Sequence, residues 1–219
     1  MIRHQVGQMI TPISPEALNE AAGIIANGGL VVFPTDTVYG IGCNPYNTEA
    51  IEAIYRAKGR DTQKALPILL ASSEDLGRFA HDLTPEADLL ARLFWPGALT
   101  LVLKRAAELP EALGAGETLA LRIPDHRQAR ELIELCGGAI ATTSANISGL
   151  PDAFTAEQAE AYLGDHVALI LDGGRTLGSI PSTVVDCTLS PPRVLRAGAL
   201  AGQIGTRLDR LRSIQKLEG

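Results

Sequence analysis

Val31-Val32-Phe33-Pro34-Thr35-Asp36-Thr37-Val38-Tyr39-Gly40-Ile41-Gly42 is the stretch whose reading decides the fold. Leu30 to Phe33 is a short continuous apolar run, the mark of a strand buried on both faces. Pro34 ends it, and the chain then presents hydroxyls, one carboxylate and one aromatic ring in what reads as a Gly-punctuated loop. A cationic triplet, Lys58-Gly59-Arg60, follows one helix later. That layout describes a site for small charged molecules at the end of a sheet.

Working outward, helices and strands alternate irregularly. Residues 1–13 suggest a short edge strand. Ser14-Pro15-Glu16 combines a hydroxyl cap, Pro at the first helical position and an acid in the first turn. The helix it predicts has Leu18, Ala21, Ala22 and Ile25 on its inner face and ends at Asn27-Gly28-Gly29. Thr48 is expected to cap a second helix, with Ile51, Ile54 and Tyr55 inward and Lys58-Gly59 at its close. Further strands are read at 66–71, 98–103, 118–123, 139–142, 168–171, 183–187 and 194–196, and further helices at 72–79, 84–94, 126–135 and 155–163. Thr155 and Gln158 form a capping box for the last of these helices. Residues 104–117 read as a mobile surface loop. Ile204, Leu208, Leu211, Ile214 and Leu217 recur at helical spacing and predict an amphipathic terminal helix over 201–217. The pattern is that of one domain over 1–219, α/β or α+β, on a largely mixed sheet with one functional rim.

Composition bounds the function. Hydrophobic residues at 46% and charged residues at 20% are ordinary for a globular chain. The net charge of −6 argues against whole-surface nucleic-acid binding. Cys43, Cys136 and Cys187 form no CxxC pair, no secretory leader pattern opens the chain, and no apolar run has membrane-span length. These features predict a cytoplasmic protein with reduced, structural thiols. There is no GxxxxGK[ST] and no GxGxxG, so a nucleotide would not be held in a P-loop or Rossmann manner. No Ser/His/Asp triad presents itself, and His4, His81, His126 and His166 lack metal-ligand spacing. His126 reads as a helix-start residue.

Four groups could carry chemistry. Arg56, Lys58, Arg60 and Lys64 against Asp61 give a basic patch, either bases complementing a helix C-terminus or an anion cradle. Thr142-Thr143-Ser144-Ala145-Asn146-Ile147-Ser148-Gly149 ends a strand in neutral donors and acceptors, either a hydrogen-bonded turn or a ligand loop. Gly173-Gly174-Arg175 through Ser182-Thr183 is a loop rich in Gly and hydroxyls. Arg122 and Arg196 sit at strand ends, where a guanidinium among apolar neighbours needs a partner: a protein carboxylate, or a ligand carboxylate or phosphate.

Taken in order, Pro34-Thr35-Asp36-Thr37-Val38-Tyr39-Gly40, Lys58-x-Arg60, Trp95-Pro96-Gly97-Ala98-Leu99-Thr100, Arg122-x-Pro124, Ser144-Ala145-Asn146, Ser182-Thr183-Val184-Val185-Asp186 and Leu195-Arg196-x-Gly198 resemble the YrdC/TsaC family of L-threonylcarbamoyladenylate synthases, single-domain type, over roughly residues 14–200. The family starts the threonylcarbamoyl modification of adenosine 37 in tRNAs that read codons beginning with A. Asp61, Ala65, Ala98 and Ala197 depart from its pattern, each standing where Pro is common.

The resemblance implies a twisted mixed sheet with helices around a concave basic cavity. The implied reaction joins L-threonine, bicarbonate and ATP into threonylcarbamoyl-AMP and pyrophosphate. It implies threonine contacts at Thr35, Arg122 and Ser182, and phosphate or nucleotide contacts at Lys58, Arg60, Ser144, Asn146 and Arg196. Lys58 and Arg60 would be catalytic, and Tyr39 a pocket wall. Mg²⁺ would be held mainly by phosphates, with no protein metal site. A TsaD-type transferase would take the product, with TsaB and TsaE in a bacterium, alongside weak contact with tRNA and none with a membrane. Asp36 is read as a loop-capping acid. Two rivals stand beside this reading: a carbamoyl-adenylating enzyme like the hydrogenase-maturation carbamoyltransferases, and an RNA-binding module.

Overall fold

The computed structural model describes residues 10–176 and 180–218, with side chains as far as residue 209. Strand β1 (Ile10–Pro12) leads into α1 (Pro15–Ala26), which opens as its sequence predicts, with Ser14 Oγ accepting the Ala17 N–H at 3.1 Å. The deciding stretch then forms a hairpin. β2 (Val31–Pro34) pairs antiparallel with β3 (Tyr39–Cys43), from Val31 opposite Gly42 to Pro34 opposite Tyr39. Only residues 35–38 are loop, which corrects the expectation of an irregular segment reaching Gly42. Gly40 and Gly42 are needed for close approach, not for a turn. A Cβ on Gly42 would lie 2.5 Å from Ile140 Cγ2 and 2.9 Å from Phe33 Cε1.

Apart from the two-residue β5 (Ala80–His81), which was not expected, the remaining elements follow the expected order: α2 (Thr48–Lys58), β4 (Ile68–Leu70), α3 (Pro85–Phe94), β6 (Leu99–Arg105), β7 (Thr118–Arg122), α4 (Arg127–Leu135), β8 (Ala139–Ser144), α5 (Ala156–Leu163), β9 (Leu169–Asp172), β10 (Thr183–Asp186), β11 (Arg193–Arg196) and α6 (Ala201–Glu218). Asn47, one residue before the expected Thr48, caps α2 by accepting the Ala50 N–H, and Gly59 closes it in the left-handed region at φ 57°. Residues 73–78 wind as a 3₁₀ helix where an α-helix was expected. His126 Nδ1 accepts the Ala129 N–H at 3.2 Å and so caps α4. Thr155 caps α5, while Gln158 reaches back to the N–H of Phe154, one residue before the cap. The 106–117 segment is tied down: Arg105 donates to the carbonyls of Leu109, Pro110 and Gly114, and Leu109 and Leu113 are buried. Ile204 and Leu208 of α6 are buried, whereas the side chains of Leu211, Ile214 and Leu217, together with residues 1–9 and 177–179, lie outside the described residues.

The sheet runs β1-β9-β2-β3-β8-β4-β7-β6-β10-β11, with β5 on β6. Its β1/β9, β2/β9, β4/β7 and β6/β10 pairs are parallel and the rest antiparallel, so the sheet is mixed as expected.

Strand alternation assigns its two faces. Ile41, Ile68, Leu70, Leu99, Leu101, Leu119, Leu121 and Ala141 point into one large core with α2, α3 and α5. Val31, Phe33, Leu69, Ile140, Leu169 and Leu171 point the other way, into a smaller core under α1 and α4. Each large apolar side chain so buried contributes about 1.5–3 kcal/mol. On that second face α1 and α4 pack over β9, β2, β8 and β4. The next strands, β7, β6 and β10, turn Ala120, Arg122, Thr100 and Val184 toward this face, and these four line an open cavity.

Candidate functional site

The cavity, about 260 Å³, lies on the uncovered half of the second sheet face rather than off the strand ends, which corrects the rim expectation. Its floor is Gly40, Leu69, Thr100, Ala120, Arg122, Thr142 and Ser144. Loop residues Thr35, Thr37, Arg60, Asp152 and Ser182, with Arg196 from the end of β11, wall it in. Six of the residues given a role from sequence meet here: Thr35, Arg60, Arg122, Ser144, Ser182 and Arg196.

Arg122 is buried at 7% exposure and held on three nitrogens. Nη2 bonds Asp36 Oδ1 at 2.6 Å, Nη1 donates to Thr37 Oγ1 at 3.0 Å, and Nε donates to the Gly97 carbonyl at 2.9 Å. A guanidinium has five N–H groups, so two remain for a ligand. Asp36 is therefore an ion-pair partner rather than the loop cap expected. The loop is closed by Thr35, whose hydroxyl donates to the Val38 carbonyl at 2.7 Å and accepts the N–H groups of Thr37 and Val38.

Lys58 is not on the cavity wall. At 2% exposure it lies behind it, its ammonium donating to the carbonyls of Ser144 and Asn146 and to Asn146 Oδ1 at 3.0 Å. Those three acceptors match the three donors of an ammonium group. Asn146 Oδ1 also accepts from Ser144 Oγ at 2.6 Å, and its Nδ2 donates to the Leu150 carbonyl. Lys58 and Asn146 thus fix the strand end that presents Ser144. Burial, with the neighbouring Arg60 adding to it and Asp152 opposing, pushes the Lys58 ammonium down to about 8.

Arg60 folds its own loop around it, donating to the carbonyls of Lys64 and Ala65 at 3.2 Å. Arg196 grips Ser182 through the carbonyl, at 2.9 and 3.2 Å, and through Oγ at 3.1 Å; Ser182 Oγ also shares a 2.7 Å hydrogen bond with Thr100. Among the described residues neither Arg60 nor Arg196 has an acid within ion-pair distance.

Tyr39 is not a pocket wall. It is fully buried on the opposite face of β3, its hydroxyl donating to the Gly174 carbonyl at 2.7 Å and accepting the Gly173 N–H at 3.2 Å. That burial raises its pKa to about 12, with the adjacent Asp172 carboxylate adding to the shift. It anchors the Gly-rich loop after β9.

Sequence reading missed Asp152 altogether and gave no individual role to Thr37, Thr100 and Thr142, although each stood in a stretch it quoted. Period-two alternation through β6 and β8 signalled Thr100 and Thr142. Asp152 follows Leu150-Pro151 with no local mark. It is a half-buried acid on the wall, within electrostatic reach of Lys58 and Arg196.

The described residues contain no group of three or more His, Cys, Asp or Glu able to hold a metal ion. The three cysteines are free, and burial raises each thiol to about 12, away from reactive thiolate. No helix among the described residues is long and apolar enough to cross a membrane. What the cavity offers is two cationic forks, one charge-paired fork and a set of hydroxyls. That equipment, with Asp152 beside it, suits the neutralisation of an anion rather than attack by a protein nucleophile.

Comparison with known proteins bears on the sequence and the fold. The Sua5/YciO/YrdC family model, described as "Telomere recombination", matches residues 23–198. The threonylcarbamoyl-AMP synthase of Pyrococcus abyssi is 46% identical over 182 residues, 82% of this chain and 53% of that protein. This chain therefore spans about half the length of that relative. A Mycobacterium tuberculosis relative is 44% identical over 182 residues, 83% of either chain. The crystal structure of P. abyssi Sua5 complexed with L-threonine superposes with a TM-score of 0.82 at 42% identity, covering 87% of this chain and 56% of that one. The family match from residue 23 to residue 198, with relatives above 40% identity and a superposing mixed sheet, places the chain in the Sua5/YciO/YrdC family.

Proposed function

We propose that this chain is an enzyme, a nucleotidyltransferase that makes threonylcarbamoyl-AMP and pyrophosphate from L-threonine, bicarbonate and ATP, the first step of the tRNA modification. The observation that carries the reading is one arginine held in an ion pair beside two that, among the described residues, are in none, in a single small cavity. One amino-acid carboxylate and one polyphosphate are the ligands such a set accommodates.

In this reading the threonine amine, once deprotonated, adds to bicarbonate with loss of water and gives an N-carboxylate. One oxygen of that carboxylate attacks the α-phosphorus of ATP, and the bond to the bridging oxygen breaks to release pyrophosphate. The step requires alignment and neutralisation of negative charge, with no covalent protein intermediate. Arg122, with two N–H groups to spare, takes the threonine carboxylate, and Thr35 and Ser182, both on the cavity wall, are the further threonine contacts. Arg60 and Arg196 take the phosphates. Ser144 presents its hydroxyl toward the reacting carboxylate, held there by Asn146 and Lys58. Mg²⁺ enters with ATP as part of the substrate, held mainly by its phosphates. The product is a mixed anhydride and needs a consuming transferase of the TsaD type, with TsaB and TsaE where the source is bacterial. The setting is the cytoplasm, where ATP and tRNA are available, with at most weak contact to tRNA itself.

The test is pyrophosphate release with L-threonine and bicarbonate each omitted in turn. Release that needs both supports the reading. Release supported by carbamoyl phosphate in their place would transfer the assignment to carbamoyl adenylation, and tRNA binding without any release would transfer it to an RNA-binding module.

A further inference from the structure

Three arginines wall the cavity, yet only one of them is neutralised. Arg122 has Asp36 Oδ1 at 2.6 Å, and the two side chains are 9% and 16% exposed. Arg60 and Arg196 bond only to carbonyl and hydroxyl oxygens, which orient them but leave their charge intact. Asp152 lies within electrostatic reach of Arg196, and Asp61 of Arg60, neither forming an ion pair. The cavity is therefore electrostatically uneven.

The unevenness addresses a problem that the reaction poses. A cavity open to a polyphosphate and to an amino acid must keep the stronger anion off the site of the weaker one. An unpaired buried Arg122 would attract a triphosphate more strongly than a single carboxylate, because Coulomb attraction scales with ligand charge and burial reduces screening. Once paired with Asp36, Arg122 contributes little net charge, and what remains is geometry. Asp36, Thr37 and the Gly97 carbonyl occupy one N–H on each of its three nitrogens and so fix the plane of the fork. The two remaining N–H groups suit a carboxylate by direction rather than by field.

We propose that Asp36 is a positioning and specificity-determining residue, neutralising and orienting Arg122 so that this arginine selects a single carboxylate while Arg60 and Arg196 are left to take the polyphosphate. The inference rests on the function proposed above. Thr37 supports the same fork from a second nitrogen without contributing charge, so orientation and neutralisation are separable.

The experiment is calorimetric titration of L-threonine into the full chain, with and without inorganic tripolyphosphate, for the wild type, Asp36→Asn and Thr37→Val. In the wild type, tripolyphosphate leaves threonine affinity unchanged. In Asp36→Asn, threonine affinity falls about tenfold and tripolyphosphate lowers it further, by competing for the released arginine charge. In Thr37→Val, affinity falls about threefold with no competition, because the charge pair is intact. A merely structural role would weaken threonine binding without creating that competition. The proposal is overturned if folded Asp36→Asn binds threonine as the wild type does, or if tripolyphosphate already displaces threonine from the wild type, an arm that needs no variant to fold. Pyrophosphate release is read alongside. A wild type that binds threonine but releases no pyrophosphate defeats the proposed function while the titrations still decide the role of Asp36; a wild type that binds no threonine defeats both.

Discussion

At the scale of single residues, Lys58 is where position and titration meet. Its ammonium is saturated by oxygens of Ser144 and Asn146, so it acts by holding the strand end and by its charge. Burial lowers its pKa to about 8, from the ordinary 10.5. Below about 8 the group is charged in both folded and unfolded chains. Between about 8 and 10.5 the unfolded chain binds more protons, so this residue's contribution to stability improves as pH rises through that window. Activity should run the other way, with kcat at saturating threonine falling above pH 8 as the ammonium is lost; a kcat that keeps rising to pH 10 would contradict the role. Lys58→Ala should remove most turnover, at least about a hundredfold in kcat, while threonine affinity by calorimetry changes little. Sequence reading found Lys58, Arg60, Arg122 and Ser144, because charge and hydroxyls at strand and helix ends stand out. It could not place Asp36 on Arg122, a contact across 86 positions of chain, nor see that Tyr39 turns away from the cavity.

At the scale of elements, β3 is the informative case. Gly40 and Gly42 look like turn residues in sequence, yet both sit in a fully buried strand. Their neighbours on β2 and β8, Phe33, Ile140 and Thr142, fill the space a side chain would take. Gly42→Ala should therefore cost about 1–3 kcal/mol by overpacking, read as a lower denaturant midpoint at unchanged m-value. An unshifted midpoint would mean that β3 does not pack against Ile140 as described. The caps, the helix faces and the apolar strands were legible because they depend on near neighbours in sequence. Sheet order was not: β8 lies between β3 and β4, and β10 beside β6, through pairings that no local pattern encodes.

At the scale of the whole molecule, a chain of net charge −6 carries a cationic cavity because α1 and α4 cover only part of one sheet face. Arg60 and Arg196, which lack an ion-pair partner among the described residues, predict that the KM for ATP rises with added salt, while the KM for threonine, governed by a neutralised arginine, moves far less. Equal salt dependence of both constants would argue against this division of roles among the arginines. The central claim, that the cavity joins three small substrates into one adenylate, is tested most directly by mass spectrometry of the product formed from ATP, L-threonine and ¹³C-bicarbonate. The account predicts an adduct containing AMP, threonine and the labelled carbon, formed together with pyrophosphate. Pyrophosphate released without any labelled adduct, or an adduct that lacks either threonine or the label, would contradict it.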